Sequence, residues 1–304
     1  MKAADLPFTM TATTSAVATA AAAGGDGHCE ARLSLGFTDD NGTTRLTDRR
    51  HFGPLRVQKA LYPEHPSVCH AIIIHPPGGV VGGDRLQIHT AVGAQANALI
   101  TTPGAAKWYK ANGHVSKQQI QLDVAAGAAL EWLPQETIFF NRADVMLDHH
   151  VNLAADARYI GGEILCFGRT ASGERFDRGR IRQHTSIRRG GQLLWWEQGV
   201  LHGDGDGMQS MLALGGRTVC ATLIAVGKPL PPAFIGSLRE VANAGISAAD
   251  PTAKTGVTQM KSLLVARYLG HASEAARAWM SACWQHIRPE LLERAAVVPR
   301  IWHT

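Results

Sequence analysis

The most constrained stretch of this chain is a glycine-rich loop that ends on a carboxylate. Residues His75–Asp84 read HPPGGVVGGD and directly follow the apolar run Ala71–Ile74. Prolines fix φ and glycines permit positive φ or close backbone approach, so the pattern predicts a buried strand that leaves into a sharply folded loop. Imidazole, thiol and carboxylate groups around the loop would suit a transient site for a borderline metal ion. The residues that would converge are Cys69, His70, His75, Asp84 and His89. The alternative is that each imidazole is satisfied separately in the core or at the surface.

Three glutamates lie in otherwise apolar segments, where a carboxylate is costly to bury unless it is paired, hydrated or coordinating. Glu131 and Glu136 belong to LEWLPQE, and Glu163 belongs to IGGEIL. Strand alternation alone can turn Glu131 outward. Glu136 and Glu163 occupy the loop ends of successive similar segments, so we predict that they face one channel or cavity. The alternative is ion pairing with Arg142 or Arg169, each six residues further along.

No motif of a known catalytic class accompanies these residues. The glycine loop lacks the Gly-Lys-Ser/Thr of a phosphate-binding loop and the GxGxxG spacing, and no helix start follows it. GxSxG, HExxH and kinase signatures are absent as well. His149 and His150 are adjacent, so on a strand they point to opposite faces and cannot chelate one ion. Two classes stay open, a binding protein and a β-rich enzyme with a metal-assisted site at His75–Asp84.

Composition narrows the cellular setting and the partners. The chain has 304 residues, a net charge of +5 and five cysteines without a CxxC pair, which fits a reducing cytoplasm. Basic residues concentrate between Arg169 and Arg189, but no nucleic-acid motif accompanies them, so we expect a solvated or partner-facing strand pair and no nucleic acid. No apolar run is long enough for a membrane span. We interpret the Ala/Thr-rich residues 1–28 as a disordered extension rather than a signal peptide.

Short strands must position the candidate residues from Ala31 to about Val226. Apolar or alternating runs recur there, separated by Gly, Pro, Asp and Asn, without a sustained helical period. They predict strands at Arg32–Phe37, Leu55–Leu61, Val68–Ile74, Leu86–Val92, Ala98–Thr102, Ile120–Val124, Val145–Leu153, Ile181–Ile187 and Gln192–Trp196. The fold class is therefore mainly β.

A weak internal repeat indicates how these strands stack. Segments that begin at Ala98, Ala129, Ala157 and Gln192 align with one another, each after an apolar strand and a small-residue turn. Similar strand–turn–strand units at near-constant spacing favour a layered or helical β-architecture of the β-solenoid type. A β-sandwich whose hairpins look alike explains the same pattern equally well.

Helical patterns follow the Pro-rich residues 229–232. Gln259–Leu269 and Ser273–Ile287 both carry apolar residues at i, i+3, i+4 and i+7, which predicts two helices. Ser273 is the expected N-cap of the second helix, and Pro289 is expected to close it.

The C-terminal helices complete the expected organisation. Trp279 and Trp284 belong either to the core or to an exposed docking patch. We expect one domain over 29–304, with a β-rich part at 29–228 and a helical part at 229–304.

Four longer motifs occur in order along the chain. They are HPPGGVVGGD (His75–Asp84), TTPGAAKWY (Thr101–Tyr109), LEWLPQETIFF (Leu130–Phe140) and GGEILCFGRTASGE (Gly161–Glu174). Together with the ending Pro299–Trp302, they resemble the UreD (also called UreH) family of urease accessory proteins over about residues 30–304. Ala106 stands where many members are expected to carry Thr.

The resemblance implies a maturation factor that is not an enzyme. Members of the family have a β-rich, layered fold with a few helices, bind the accessory protein UreF and through it engage the GTPase UreG. They also bind the urease apoprotein and help to deliver nickel to its active site. The resemblance implies no tightly bound cofactor, only transient Ni²⁺, for which a water-filled tunnel is the suggested path. Oxygen and imidazole ligands without a closed cage suit such a path.

The same resemblance selects candidate metal-binding residues. Asp84, at the end of the glycine motif, and Glu163, in the GGE motif, are the candidate carboxylates of the nickel path. Glu136 is a third candidate. Lys107 and Tyr109 match the family motif and are assigned a structural role at their turn.

Overall fold

The computed structural model describes residues 28–244 and 250–303. Within these ranges the chain forms two β-sheets that pack face to face, and two α-helices that cover the outside of the second sheet. The strands are β1 (Glu30–Asp40), β2 (Thr43–Phe52), β3 (Arg56–Val57), β4 (Cys69–Ile74), β5 (Arg85–Val92), β6 (Asn97–Thr101), β7 (Ala106–Trp108), β8 (Ser116–Val124), β9 (Ala129–Leu133), β10 (Thr137–Phe139), β11 (Asp144–Leu153), β12 (Arg158–Phe167), β13 (Arg180–Arg189), β14 (Gln192–His202), β15 (Val219–Val226), β16 (Lys254–Met260) and β17 (Leu263–Gly270). The helices are α1 (Pro232–Ala244) and α2 (Ser273–Leu292). Apart from His28, the predicted disordered extension lies outside the described residues.

Parallel strands from successive coils build the centre of both sheets. The first sheet has the order β14-β13-β11-β8-β5-β1-β2, and the second has the order β16-β17-β15-β12-β9-β6-β4-β3, with β7 and β10 alongside β12. β5, β8, β11 and β13 are parallel neighbours in the first sheet, and β4, β6, β9 and β12 are parallel neighbours in the second. From β4 to β13 the long strands alternate between the two sheets, so each coil gives one long strand to each sheet. The mainly β, solenoid-like prediction is confirmed, and the alternative of a sandwich made of similar hairpins is wrong.

The sequence repeat corresponds to this stacking for three of its four units. Asn97 lies opposite Ala129, and Ala129 lies opposite Arg158, within one residue of the predicted alignment. The unit that begins at Gln192 does not continue the stack, because β14 runs antiparallel to β13 in the same sheet. The glycine pair 190–191 adopts positive φ values of 54° and 80°. Such a pair reverses the chain in a tight hairpin, so the strand stays in its sheet instead of crossing over.

Alternation along β5 illustrates how sequence places the core between the sheets. Leu86, Ile88 and Val92 are buried, whereas Gln87 and His89 are exposed. Because successive side chains of a strand point to opposite faces, the apolar set faces the second sheet. Each buried aliphatic side chain of this kind contributes about 1.5–3 kcal/mol to folding.

The helix predicted over Gln259–Leu269 is wrong. This stretch forms the antiparallel strands β16 and β17, joined at Lys261 in a left-handed conformation (φ 52°). The run Leu263–Ala266 is buried throughout, with alternate residues in the core between the sheets and in the core under α2. A strand buried on both faces carries continuous apolar residues, which match a helical period as readily as a strand period.

The second predicted helix is confirmed, but its start differs from the prediction. Ala272 is the N-cap, and Ser273 opens the helix without a capping hydrogen bond from its side chain. Instead, the carboxylate of Asp250 accepts hydrogen bonds from the backbone N–H groups of His271 (2.5 Å) and Ala272 (3.2 Å). A side chain distant in sequence therefore replaces the local cap.

The body of α2 is a core element. Trp279 and Trp284 are completely buried against the second sheet, so the core interpretation is right and the docking-patch alternative is wrong. Pro289 does not end the helix but lies in its last turn, which continues to Leu292. No helix of the described residues combines the length and the apolar character needed to cross a membrane.

Candidate functional site

A row of cavities occupies the gap between the two sheets, and it begins behind the glycine loop. The first cavity, of about 200 Å³, is lined by His75, Gly78 and Trp108. The second, of about 100 Å³, shares Ala106 and Gln118 with the first. Gly78 and Ala106 are exposed, so the row reaches the surface at this end.

The row continues to the opposite edge of the molecule. A small third cavity, of about 30 Å³, shares His149, Glu163 and Thr185 with the second. A wider cavity, of about 470 Å³, shares Gln183 with the second. It reaches the surface at Leu212, which is fully exposed. Neighbouring cavities thus share lining residues from the glycine loop to β14, and Glu163 lines two of them.

Glu163 projects into this row from β12. Both oxygens of its carboxylate accept hydrogen bonds from Nε2 of Gln183 on β13, at 2.8 and 2.9 Å. Burial raises the pKa of Glu163 to about 7; the Gln183 hydrogen bond and the charge of Arg267 oppose this shift, and the charge of Glu197 adds to it. The carboxyl group is therefore divided between its charged and neutral forms at neutral pH.

The two glycines before Glu163 set its depth in the molecule. A Cβ atom at Gly162 would lie 2.7 Å from Sδ of Met280 on α2, and one at Gly161 would lie 2.1 Å from the hydroxyl of Tyr159. Larger residues at either position would push a neighbour aside, so the strand needs glycine to lie this close to both. The glycines of the GGE motif thus let β12 pack closely against α2, and the glutamate that follows them faces the cavities between the sheets.

His149 enters the same two cavities from β11, on the other side of the gap. Burial lowers the pKa of His149 to about 4, so the ring is neutral at pH 7. Its Nε2 atom is buried and has no hydrogen-bond partner among the residues that the structure describes. An edge-to-face contact with Trp132, at 6.0 Å between ring centroids, holds the ring. A neutral imidazole and a carboxyl group that titrates near pH 7 therefore face one internal space.

An ion pair bridges the two sheets at the wide end of the row. Nη2 of Arg267 on β17 lies 2.5 Å from Oε1 of Glu197 on β14. Glu197 lines the small third cavity and Arg267 lines the wide one. The charges at this end are therefore paired with each other, which leaves Glu163 with an uncharged hydrogen-bond donor.

Asp84 ties the glycine loop to the chain just before β1. Its Oδ1 atom accepts a hydrogen bond from the N–H of Cys29 at 2.8 Å, and Oδ2 accepts one from the N–H of Val81 at 3.0 Å. The residue is buried, with 4% of its surface exposed. Since both oxygens bind backbone amides, the geometry gives Asp84 the role of organising the loop. Its role in metal transfer stays a prediction.

Glu136 lies on the helix side of the second sheet, away from Glu163. Its Oε1 atom accepts a hydrogen bond from Nε of Arg277 on α2 at 2.8 Å. The expectation that Glu136 and Glu163 face one cavity is wrong, because Arg277 draws the first carboxylate toward the helix. The alternative of ion pairing with Arg142 or Arg169 is also wrong, because Glu136 binds Arg277 and Arg169 binds Glu174.

The histidines around the glycine loop do not come together. Nε2 of His70 lies 2.7 Å from Oε1 of Glu64, and Nε2 of His89 lies 2.8 Å from Oδ2 of Asp123. His75 lines the first cavity, and burial lowers its pKa. In the described part of the chain these residues form no common metal-binding group, so the predicted convergence is wrong, and His70 and His89 are satisfied separately.

Comparison with known proteins decides the family. The family model described as "UreD urease accessory protein" matches residues 29–303. The chain belongs to the UreD family. It is 68% identical over 275 residues to the urease accessory protein UreD of Janthinobacterium sp. (strain Marseille), across 90% of this chain and 92% of that protein. Proteins of the same name from Nitrosospira multiformis and Azoarcus sp. (strain BH72) are 53% and 47% identical, across 92% and 90% of this chain and 99% and 94% of those proteins. The resemblance drawn from the four motifs is confirmed.

Two residues of this UreD-family site escaped the sequence analysis. Gln183 holds the carboxylate of Glu163, and His149 shares its cavities. The signal was strand alternation. Gln183 lies between the inward-facing Ile181 and Thr185, and His149 has the same parity as the buried Val151. A polar residue at an inward position indicates such a site, but the inward positions can be identified only once the packing of the two sheets is known.

Proposed function

We propose that this chain is a urease maturation factor that conducts Ni²⁺ through the cavities between its sheets. In this proposal it binds the urease apoprotein and the accessory proteins UreF and UreG, and it passes the ion to urease without catalysing a reaction itself. Nickel is the cargo rather than a resident cofactor. Membership of the UreD family supports the role in urease maturation.

One observation carries the proposal: the cavities reach the surface at two separate ends and hold ionisable ligands between them. The glycine loop lies at one end and Leu212 at the other. Glu163 and His149 face the middle of the row. A half-buried carboxylate that is hydrogen-bonded only to an uncharged amide costs folding free energy. Its presence in this gap is explained if a cation passes there.

The ligand chemistry suits a short stay of the ion. Ni²⁺ accepts imidazole nitrogen and carboxylate oxygen, and its affinity depends on how many ligands converge. His149 and Glu163 supply two ligands, and water would fill the remaining positions. Because Glu163 titrates near pH 7, a proton competes with the metal ion at this carboxylate. In this proposal the competing proton and the small number of protein ligands favour release of the ion.

The two other predicted carboxylates have different positions in this proposal. Asp84 shapes the loop at the entrance to the first cavity through its bonds to Cys29 and Val81. Glu136 lies outside the cavity linings described above and pairs with Arg277. We place direct contact with the ion at Glu163 and indirect roles at Asp84 and Glu136.

The test is urease activation with the variant Glu163→Gln. The full chain, UreF, UreG and apourease are combined with Ni²⁺ and GTP, and urease activity and its nickel content are measured over time. We expect nickel transfer to fall by roughly tenfold, the order of magnitude seen when a contact that supports metal binding is lost. His149→Ala should show a similar loss.

The matched control is Glu240→Gln, which makes the same chemical change at an exposed position on α1. Complex assembly is measured separately by co-purification. The conducting role is refuted if both Glu163→Gln and His149→Ala assemble normally and deliver nickel at the rate of the control.

A second experiment narrows the path without touching a ligand. Ala106 lines both the first and the second cavity. In Ala106→Leu the larger side chain should slow nickel transfer while the complex still assembles. Ala155→Leu makes the same change at an exposed turn and should leave transfer unchanged. Equal rates for the two variants would contradict passage through this junction.

A further inference from the structure

A second group of possible metal ligands lies on the outer face of the first sheet. Asp148 and His150 are two residues apart on β11, so their side chains share one face. His184 on the neighbouring strand β13 lies directly opposite Asp148 in the parallel register. These three residues form the Asp148–His150–His184 cluster. His149 faces the opposite side of the same strand, so this cluster is separate from the cavities between the sheets.

The distances within the cluster match those of a metal site. Nδ1 of His184 lies 2.8 Å from Oδ1 of Asp148, and Nε2 of His150 lies 3.6 Å from the same oxygen. The three ligand atoms all lie within 4.8 Å of one another. Ligand atoms that each lie about 2.0–2.2 Å from one ion are about 3–3.6 Å apart. Small side-chain movements therefore suffice to enclose an ion.

Neighbouring side chains already hold both imidazoles in place. Nδ1 of His150 lies 2.8 Å from the hydroxyl of Ser186, which leaves Nε2 directed toward Asp148. The ring of His184 packs against Trp196, with 4.2 Å between ring centroids. Metal-binding histidines are typically oriented by a partner on the second ring nitrogen. Ser186 orients His150 in this way. Nε2 of His184 is buried and has no hydrogen-bond partner among the described residues, so packing against Trp196 is what orients that ring.

The surrounding charges leave the cluster free to take a cation. Arg180 and Arg182 lie on the same face, but both bind the carboxylate of Asp144, at 2.8 and 3.3 Å. The ion-pair partners of Asp148 are the imidazoles of His150 and His184. The cluster offers two imidazole nitrogens and one carboxylate oxygen to an ion. The cluster is also only partly buried, so an ion can reach it from solvent.

We propose that the Asp148–His150–His184 cluster binds one divalent first-row transition-metal ion of the Ni²⁺, Cu²⁺ or Zn²⁺ kind. Two nitrogen ligands exclude Ca²⁺ and Mg²⁺, which prefer oxygen. Three protein ligands leave the remaining positions to water, so the ion is exchangeable. The proposal does not depend on the nickel path described above, because the two sites lie on opposite faces of the first sheet.

The experiment is a metal titration of the purified full chain. Ni²⁺ alone and Zn²⁺ alone are added, and the bound equivalents are counted by equilibrium dialysis and calorimetry. The double variant His150→Ala/His184→Ala should bind one equivalent less than the wild type. The same loss is expected in the visible absorption of the Co²⁺-loaded protein. Asp148→Asn should keep the imidazoles and weaken binding by roughly tenfold.

His89→Ala is the matched control, because His89 forms a similar imidazole–carboxylate pair with Asp123 on the same sheet without a second histidine. It should bind as many equivalents as the wild type. Thermal unfolding of every variant shows whether the fold is retained, and Asp148→Asn preserves the test if the double alanine variant unfolds. An unchanged stoichiometry in folded His150→Ala/His184→Ala, with metal lost only in the Glu163→Gln/His149→Ala variant, would overturn the proposal.

Discussion

The two faces of the second sheet each carry a carboxylate, but the two carboxylates have different kinds of hydrogen-bond partner. Glu131 on β9 faces α2 and is 2% exposed. Its carboxylate accepts hydrogen bonds from Nε of Arg288 at 3.0 Å and from Nε1 of Trp284 at 2.6 Å. Glu163, on the adjacent strand β12, faces the gap between the sheets and has an uncharged amide as its donor. The first carboxylate is locked by a cation, and the second is not.

The helix face extends its pairing into a closed network. Nη2 of Arg288 also binds both oxygens of Glu64, at 2.8 and 2.9 Å, and Glu64 in turn pairs with His70. Burial alone would raise the pKa of Glu64, but the hydrogen bonds from His70 and Arg288 lower it below its usual value. Burial raises the pKa of Glu131 against the opposing pull of Arg288. Through Arg288, the network attaches α2 to Glu131 on the second sheet and to Glu64.

The difference teaches how one sheet serves both stability and function. Buried charges that are fully paired hold one arrangement, because breaking any contact leaves a charge stranded in the core. A buried carboxyl group without a cation is destabilising but remains free to bind a proton or a metal ion. The following experiments test this contrast, from the largest expected effect to the smallest.

Removing the shared cation should produce the largest effect. In Arg288→Met, Glu131 and Glu64 lose their common partner while they remain buried, so we expect a loss of about 3–5 kcal/mol in the free energy of unfolding. Urea unfolding of the purified chain measures it. The double variant Arg288→Met/Glu131→Gln should lose less, because one stranded charge is removed.

The control for this prediction is Arg50→Met. Arg50 pairs with Asp48 at 2.7 Å on the surface, and solvent compensates such a pair, so no measurable loss is expected. If Arg288→Met loses no more stability than Arg50→Met, the helix face does not depend on its paired charges.

Glu163→Gln should show the opposite sign. The folded protein holds the Glu163 proton up to about pH 7, whereas the ordinary value for this carboxyl group is 4.5. The contribution of Glu163 to wild-type stability is therefore fully present below pH 4.5 and is lost as the pH rises through 7, by up to about 3 kcal/mol. Glu163→Gln should lack this fall and be the more stable protein at pH 8.

The measurement is the difference in unfolding free energy between wild type and Glu163→Gln from pH 4.5 to pH 8. His149, whose pKa burial lowers to about 4, adds stability over the range where an unfolded imidazole loses its proton, and it does so in both proteins. The difference therefore isolates Glu163. A constant difference across this range would contradict the prediction, because it would mean that folding does not raise the pKa of Glu163.

Asp84 tests whether a carboxylate paired with backbone amides contributes to stability, as the paired carboxylates on the helix face of the second sheet do. Asp84→Asn keeps the shape but turns one acceptor into a donor that faces an N–H group, from Cys29 or Val81. We expect a loss of about 2 kcal/mol, the range for hydrogen bonds to a charged group, together with faster amide hydrogen exchange in the glycine loop. Asp156→Asn, at an exposed turn, is the control. If nickel transfer falls in Asp84→Asn while stability and exchange stay unchanged, Asp84 contacts the ion directly.

Sequence patterns were sufficient where one local period decided the structure. Alternation on β5 and the repeat through Ala98 and Ala129 predicted the stacked strands, and the GGE motif marked Glu163. Patterns failed where a distant residue decided the outcome. The strand at Leu263–Ala266 is buried from both sides, which no local period distinguishes from a helix.

Local sequence could not predict which residues pair with the carboxylates either. Glu131 finds Arg288, which follows it by 157 residues, and Glu136 finds Arg277, which follows it by 141. Only the packing of α2 on the second sheet brings these partners together. The sequence therefore identifies carboxylates that need an explanation, but only the fold separates the paired ones from the one that stays available.

Glu136→Gln should produce the smallest effect, because this pair lies between the two extremes. Glu136 and Arg277 are partly exposed, with 15% and 23% of their side-chain surface accessible. Water therefore compensates part of a lost charge, and we expect a loss of about 1 kcal/mol in the free energy of unfolding. A double-mutant cycle with Arg277→Met measures the coupling directly. The same variants, assayed for urease activation, separate two roles for Glu136. If it only fastens α2, nickel transfer follows stability, and Glu136→Gln/Arg277→Met transfers nickel as Arg277→Met does. If transfer falls in Glu136→Gln but not in Arg277→Met, the carboxylate itself meets the ion, and the helix face of the sheet takes part in transport.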